Sequence, residues 1–323
     1  CIALLAWGRV CSGGQLSQLF FEEYKLSNGL RVVLLEDHQS PIVTVEVWYH
    51  VGSKNEVEGS RGFAHLFEHL MFSATSNQRE GQFSGRVVRS GGIANAYTTE
   101  DATVVWETIP SNFLRVALWL EADRMRNLEI TQADLRREIK VVKEERRLRL
   151  DNVPYGTVIE NLYEQAFRVH PYSHIPIGSM EDLEGFQLEE ALRFYKAQFT
   201  PNNATLVIVG DFKKEYVQDW IQDYFLPIPR SETYGAKLIM PEPKQIAGRT
   251  LRLRKNVALP VLVHGYHVPS DGSVDSYALR LLPEILSGGE SSRLVRRLIM
   301  GKQIALEVKS VANLTEHPNL FVL

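Results

Sequence analysis

The chain has 323 residues, of which 44% are hydrophobic and 23% are charged. This composition excludes a disordered, collagen-like or disulfide-scaffold protein, and the length suffices for about two domains, each with its own core. The 36 basic and 39 acidic residues give a net charge of −3. That balance argues against a nucleic-acid partner, because nucleic-acid-binding domains usually carry a clear basic excess. No apolar run approaches the ~18 residues that a membrane-spanning helix needs, so no transmembrane segment is predicted.

Composition divides the chain into four predicted segments. They are an N-terminal tail (residues 1–18), a complete domain (19–229), a proline-containing linker (230–244) and a second domain that stops short (245–323). The tail holds both cysteines, Cys1 and Cys11, and fits either the remnant of a signal peptide or a frayed terminus. Because the chain begins at Cys1 and ends within an apolar run, we expect a fragment or a processed form.

Periodicity predicts mixed strands and helices along the first domain. Strands are expected at residues 30–36, 42–51, 93–99, 102–108 and 204–209. Helices are expected at residues 62–72, 82–90, 111–126, 132–150, 156–168, 188–198 and 213–225, with a loop at 170–185. Strict alternation of strand and helix is missing, which favours an α+β fold with a mixed, mostly antiparallel sheet packed against helices.

The opening pattern of the first domain recurs after the linker. Residues 41–53 have a shorter counterpart at residues 260–270, and each is preceded by a short strand-like stretch (30–35 and 251–254) and followed by an apolar helix. We interpret this as an internal duplication. Chance similarity between two strand-rich stretches is the alternative.

The sharpest local feature is the sequence His-Leu-Phe-Glu-His at residues 65–69. On a helix, positions i, i+3 and i+4 share a face, so His65, Glu68 and His69 project together. Two neutral imidazoles one turn apart can bind one Zn²⁺, and a neighbouring carboxylate can act as general base on a metal-bound water. The flanking residues make this helix apolar nearly all round, which predicts burial. A hydrogen-bonded histidine pair in the core is the alternative to a metal site.

A catalytic zinc site needs a third protein ligand, and the predicted helix at residues 132–150 offers one. Glu145 has Val141, Val142 and Leu148 as helical neighbours, which predicts an inward-facing stripe that also contains Glu138. Two carboxylates on an inward stripe of a basic helix need a cation. We therefore assign Glu145 as a ligand and Glu138 as the partner that orients a liganding imidazole.

These residues together resemble the M16 family of zinc proteases, which includes pitrilysin, insulinase and the mitochondrial processing peptidase. The histidine–glutamate motif is the inverted zinc motif, and Glu145 follows His69 by 76 residues. Matching stretches lie at residues 95–98, 121–125 and 170–178, and the bacterial two-domain members are the most similar. The resemblance implies duplicated LuxS/MPP-like metallohydrolase halves that close around a chamber.

The same resemblance implies the chemistry. His65, His69 and Glu145 would hold one Zn²⁺ per chain, and Glu68 would be the general base of an endopeptidase that hydrolyses peptides or unfolded protein segments. Asn95 and Ala96 match the edge strand on which the family binds its peptide substrates.

One part of the family pattern is altered in the second domain. Family members contribute an Arg and a Tyr from the half opposite the zinc, to hold substrate and stabilise the oxyanion. Arg293 matches the Arg, whereas Leu306 stands where the Tyr is expected. We expect a homologous M16 chain to supply the missing group in a homo- or heterodimer. A shift of a few residues in the alignment of this loop is the alternative.

Two other classes of protein are alternatives to a zinc peptidase. A non-catalytic partner or structural subunit of an M16 complex is the alternative function, although such members typically lose zinc residues that are intact here. A structural zinc module is excluded by ligand type, because closed structural sites are rich in cysteine. The tail and the similarity to bacterial members favour a periplasmic or secreted location, with the cytoplasm as the alternative.

Overall fold

The computed structural model describes residues 20–232 and 238–323. The predicted tail at residues 1–18 lies outside the described residues, as do positions 233–237 of the predicted linker. Among the residues that the structure describes, none of the helices combines the length and the apolar character that a membrane crossing requires.

The first domain is built on a six-stranded sheet in the order β1-β2-β6-β3-β5-β4. Its strands are β1 (Glu22–Lys25), β2 (Arg31–Glu36), β3 (Ile42–Tyr49), β4 (Ile93–Thr98), β5 (Thr103–Pro110) and β6 (Ala204–Gly210). Only the β2–β6 pair is parallel, and the other pairs are antiparallel. The predicted mixed, mostly antiparallel sheet is therefore confirmed. Strand β1 lies in a stretch for which no strand was predicted.

Nine α-helices are found among the described residues. They are α1 (Phe63–Leu70), α2 (Gln82–Arg89), α3 (Leu114–Asn127), α4 (Gln132–Arg146), α5 (Val158–Ala166), α6 (Met180–Gly185), α7 (Leu188–Gln198), α8 (Lys214–Phe225) and α9 (Ser276–Ser287). The prediction of a loop at residues 170–185 is wrong for α6. That helix has only six residues, too few for a periodic signal, and the Ser179 hydroxyl caps it by accepting from the Asp182 amide at 3.1 Å.

The core lies between one face of the sheet and the helices α1 and α3. Alternate residues of β3, including Val43, Val45 and Val47, are fully buried on that face, as expected for a half-buried strand. Phe67 of α1 stacks on Phe199 with a centroid distance of 5.0 Å. Helix α1 is thus held firmly by its apolar residues, which fixes the direction of its polar ones.

A second, three-stranded sheet supports the predicted duplication. Strands β7 (Gly265–Val268), β8 (Val311–Ala312) and β9 (Asn319–Val322) lie in the order β7-β9-β8, with antiparallel pairs. This order repeats that of β3-β5-β4 in the first sheet, and α9 follows β7 as α1 follows β3. The predicted strand at residues 251–254 does not form, and β7 is shorter than the predicted stretch at 260–270. The bounds of the two domains stay a prediction.

A buried ionisable cluster lies between the sheet and α3. Glu107 of β5 and Glu121 of α3 are fully buried, and Arg124 pairs with Glu121 at 3.2 Å while its guanidinium covers the Phe83 ring at 3.9 Å. Burial, together with the nearby Glu121 carboxylate, holds the pKa of Glu107 well above its ordinary value of 4.5. Arg124 therefore lies at ion-pair distance from Glu121, and the raised pKa of Glu107 favours its protonated form.

Glu107→Gln is expected to flatten the pH dependence of stability. The protonated carboxyl stabilises the native state fully below its unfolded pKa, and that stability is lost as pH rises toward the higher native pKa. Between pH 5 and 8 the free energy of unfolding should fall more steeply in the wild type, by up to about 1.4 kcal/mol per pH unit. Urea unfolding at a series of pH values measures this. Glu129→Gln, at an exposed position, is the control, and parallel curves for Glu107→Gln and the wild type would contradict the assignment.

Candidate metal centre

Helix α1 presents the three polar residues of the motif on the side that borders helix α4 and the edge strand β4. Gly62, with a φ of 95°, begins the helix, and the apolar side chains between the motif residues are buried in the core. His65 is 9% exposed, and Glu68 and His69 are half-buried. The two imidazole rings lie 5.0 Å apart at an interplanar angle of 80°. The predicted shared face is therefore confirmed by the geometry.

Glu145 of α4 meets both imidazoles. Its Oε2 atom lies 3.3 Å from His69 Nε2 and 3.8 Å from His65 Nε2. One ligand atom from each of the three residues lies within 4.8 Å of the others, and this is the metal-ligand cluster found among the described residues. Two imidazole nitrogens and a carboxylate oxygen aimed at one point are the donor set of a catalytic zinc site. The residues present therefore fit the metal that the sequence predicts.

The protonation of the two histidines agrees with this fit. Burial, followed by the proximity of His69, lowers the pKa of His65 to about 4, so this imidazole is neutral, which is the form that binds metal. Burial opposes the charged form of His69, but the Glu138 and Glu145 carboxylates outweigh it and raise the pKa of His69 to about 9. His69 thus holds a proton between two carboxylates, and metal binding releases that proton.

Glu138 lies behind His69, as predicted for an orienting partner. Its Oε2 atom is 3.6 Å from His69 Nδ1, an ion-pair distance, and its Oε1 atom accepts from Arg137 Nε at 2.9 Å. The adjacent His69 imidazole, helped by Arg137, keeps the pKa of Glu138 below its ordinary value. This contact directs Nδ1 of His69 away from the cluster and Nε2 toward it.

The predicted inward stripe around Glu145 is wrong in part. Val142 is fully buried, but Val141 and Leu148 are 45% and 64% exposed. The face of α4 that carries Glu145 therefore borders the open side of the site rather than the core. Helix α4 is also shorter than predicted, because residues 147–151 form a π-helical turn. Arg149 in this turn lies 2.5 Å from Glu145 Oε1, a contact that sequence reasoning missed although their spacing of four residues signals it.

Glu68 faces the edge strand of the sheet. Its Oε2 atom accepts from the Thr98 hydroxyl of β4 at 2.7 Å. Burial is the main influence on Glu68 and raises the pKa of its carboxyl above the ordinary value, although the Thr98 contact opposes that rise. A carboxyl whose pKa is moved toward neutrality suits proton transfer. Thr98 was not predicted as a site residue, since only the tertiary structure brings β4 beside α1.

A cavity of about 290 Å³ opens beside Glu68 and His69. It is lined by Glu68, His69, Phe72, Ser73, Glu80, Asn95, Arg137 and Glu138. Strand β4 bounds it and forms one edge of the sheet, where β5 is its one partner among the strands that the structure describes. The amide of Ala96 donates to the Asn95 side chain at 2.9 Å, so this edge amide points away from β5. The predicted substrate-binding residues Asn95 and Ala96 thus lie on an exposed strand edge next to the motif.

The structure does not bring Arg293 to this site. Arg293 is exposed at the start of the helical segment that continues into Val295–Gly301, and within residues 20–232 and 238–323 no hydrogen bond or ion pair joins it to the cluster. Leu306, which stands at the position expected for Tyr, is 81% exposed. The predicted role of Arg293 in substrate binding stays a prediction.

The fold and the histidine–glutamate cluster agree with one known family. The sequence model described as Insulinase (Peptidase family M16) matches residues 31–178, and that described as Peptidase M16 inactive domain matches residues 185–323. The chain belongs to peptidase family M16. It is 34% identical to the zinc protease PqqE of Helicobacter pylori over 292 residues, which cover 90% of this chain and 66% of that protein.

Two further comparisons agree with this assignment. The crystal structure of a protease from Helicobacter pylori superposes with a TM-score of 0.91 at 33% identity, covering 94% of this chain and 74% of that one. A probable mitochondrial-processing peptidase subunit beta from Arabidopsis thaliana is 24% identical, over 81% of this chain and 49% of that protein. The chain thus spans about two thirds of the bacterial relative and about half of the plant one.

Proposed function

We propose that this chain carries the active site of a zinc-dependent endopeptidase that hydrolyses peptides or unfolded protein segments. The observation that carries the proposal is the convergence of His65, His69 and Glu145 on one point, with Glu68 adjacent on the same helix. Membership of family M16 and the similarity to a zinc protease of Helicobacter pylori support it.

In this proposal His65, His69 and Glu145 hold one Zn²⁺, and Glu138 keeps the His69 ring in its liganding orientation. When bound, the ion supplies Lewis acidity, which lowers the pKa of water and polarises a peptide carbonyl. Three protein ligands of this kind would be the set that catalytic zinc sites use.

Glu68 is the general base. The Thr98 hydroxyl occupies its Oε2 atom, and within the described part of the chain no hydrogen bond involves Oε1. Oε1 is therefore the oxygen that accepts the proton of the attacking water and returns it to the departing amine. The raised pKa of this carboxyl suits a group that first accepts a proton from water and then returns it to the amine.

The edge of β4 is the proposed binding site for the peptide backbone. An extended peptide can add to an unpaired strand edge through main-chain hydrogen bonds. At Ala96 the incoming carbonyl would replace the Asn95 side chain as acceptor of the amide. Main-chain pairing holds a peptide without reading its side chains, which suits a peptidase that acts on unfolded segments.

A non-catalytic role as a partner subunit is the alternative function. Such a role would be expected to go with a damaged zinc site. Here His65, His69 and Glu145 are intact and lie close together, and Glu68 is present on the same helix as the histidines. The geometry therefore favours the catalytic role.

We also propose that a second, homologous M16 chain completes the site. Within the described residues, Arg293 and Leu306 are exposed and do not meet the metal cluster, whereas stabilisation of the oxyanion is typically worth a few kcal/mol. Specific activity is then expected to rise with protein concentration, or on adding a homologue that lacks the zinc motif. Full activity at concentrations where sedimentation shows a monomer would contradict this proposal.

Zinc removal tests the proposed function directly. Dialysis against a chelator is expected to abolish hydrolysis of an unstructured peptide with an internally quenched fluorophore, and one equivalent of Zn²⁺ is expected to restore it. Magnesium, which prefers oxygen ligands, is the control ion and should restore nothing. Activity that survives complete zinc removal would refute the proposal.

A further inference from the structure

The helix that carries the histidines is capped by a buried glutamate from outside it. Glu56 accepts from the Gly62 amide at 2.9 Å through Oε2 and from the Ala64 amide at 2.8 Å through Oε1. These are two of the donors that a helix N-terminus leaves without a partner in the helix, and a carboxylate is favoured there by the helix dipole. Ala64 directly precedes His65, so the cap acts one residue from a proposed ligand.

The Glu56 carboxylate is itself held by His174. The His174 Nε2 atom lies within hydrogen-bonding distance of Glu56 Oε2, at 2.8 Å, and the two side chains are 10% and 0% exposed. A buried carboxylate requires hydrogen-bonding or charged partners, because its desolvation is costly. The orientation of the cap thus depends on a residue that lies 118 positions away in sequence.

The loop that contains His174 also touches the start of α1 through its backbone. Gly62 and Gly178 have φ values of 95° and 70°. A Cβ atom on Gly178 would lie 2.2 Å from the Arg61 carbonyl oxygen, and one on Gly62 would lie 2.8 Å from the Ile177 carbonyl oxygen. Only glycine allows this approach, so the loop and the helix start are in direct backbone contact.

The same loop holds the end of the helix that carries Glu145. The Arg146 guanidinium donates to the Gly178 carbonyl and makes two further bonds to the Glu160 carboxylate, at 2.8 and 2.9 Å. Arg146 directly follows Glu145 in α4. Residues 174–178 therefore contact both helices that carry the proposed ligands. Gly178 lies against Gly62, where α1 begins, and its carbonyl accepts from Arg146, which directly follows Glu145.

We propose that His174 is a positioning residue for the metal centre. Through Glu56 it fixes the start of α1, and through the loop at residues 174–178, held by Arg146, it sets the spacing between His65 and Glu145. The inference rests on the proposed zinc site, and it adds a residue from a distant loop to the determinants of metal affinity. His174 does not contact the ligands, so it acts on affinity only through the placement of the two helices.

Zinc affinity of the purified chain, measured by competition with a chromogenic chelator, tests the inference. His174→Leu removes the hydrogen-bonding imidazole and is expected to weaken zinc binding by about tenfold, the low end of the range for outer-shell partners, because His174 acts through Glu56 rather than on a ligand. His174→Gln places an amide donor near the Nε2 position and is expected to restore affinity to within about threefold of the wild type. Glu56→Gln keeps the shape of the cap and is expected to weaken binding in the same direction, and it replaces His174→Leu should that variant fail to fold.

Asn28→Ala is the matched control for stability. The Asn28 amide donates to the Phe225 and Ile228 carbonyls at 2.8 and 3.1 Å in a buried turn between β1 and β2, so its loss should destabilise the fold without changing zinc affinity. Equal affinity in His174→Leu and the wild type, or an equal loss in Asn28→Ala, would overturn the inference. A wild-type chain that binds no zinc would instead refute the proposed function.

Discussion

Replacing Glu68 by glutamine is expected to abolish peptide hydrolysis while one zinc ion is retained. Glutamine keeps the size of the side chain and can still bond to the Thr98 hydroxyl, but it cannot accept a proton. A positioned general base contributes about 10²–10⁴-fold to the rate, so kcat should fall by that factor with little change in KM. Steady-state kinetics and metal analysis of the same preparation measure both quantities.

The control for this prediction is Glu189→Gln, at an exposed position on α7, which should retain wild-type kcat and zinc content. Retained activity in Glu68→Gln would remove Glu68 from its role as base. Loss of the metal together with activity would instead make Glu68 a structural part of the metal centre.

Glu145→Gln is expected to cause the largest loss of zinc affinity. The substitution preserves the shape of the side chain but removes the anionic oxygen that lies 3.3 Å from His69 Nε2. Because Glu145 is assigned as a direct ligand, the loss should exceed the roughly 10–100-fold that outer-shell changes cost. Equilibrium zinc competition measures the affinity, and the activity should fall in parallel at limiting zinc.

The neighbouring residue supplies a matched control. Glu144 is 57% exposed in its side chain and pairs with Arg147 at 3.2 Å, on a different face of α4 from Glu145. Glu144→Gln should bind zinc as the wild type does. Equal affinities in the two variants would show that Glu145 is not a ligand, and would leave the third position of the metal centre unassigned.

The sequence alone predicts those parts of the site that depend on local geometry. The shared face of His65, Glu68 and His69 follows from helical spacing, since the three residues lie within one turn. Glu145 was predicted from its apolar helical neighbours, and the resemblance to a family agrees with that assignment. Its neighbour Val142 is buried as predicted, whereas Val141 and Leu148 are exposed at the mouth of the site.

Other parts depend on contacts that no local pattern encodes. Strand β5 pairs with both β3 and β4, so β4 lies at the edge of the sheet although it precedes β5 in the chain. Thr98 reaches Glu68 only because of that order. His174 meets Glu56 across a long stretch of chain, in a loop whose sequence shows no periodicity. The metal-binding motif and most of the secondary structure were therefore predictable from the sequence. The tertiary contacts that hold the motif in place were not.

The central claim is that zinc binds where His65, His69 and Glu145 converge. An anomalous difference map recorded at the zinc absorption edge, from crystals of the zinc-loaded Glu68→Gln variant, tests it most directly. The account predicts a single peak per chain, about 2.0–2.2 Å from the Nε2 atoms of both histidines and from a Glu145 oxygen. A peak elsewhere, or crystals of fully zinc-titrated protein with no peak at this cluster, would contradict it.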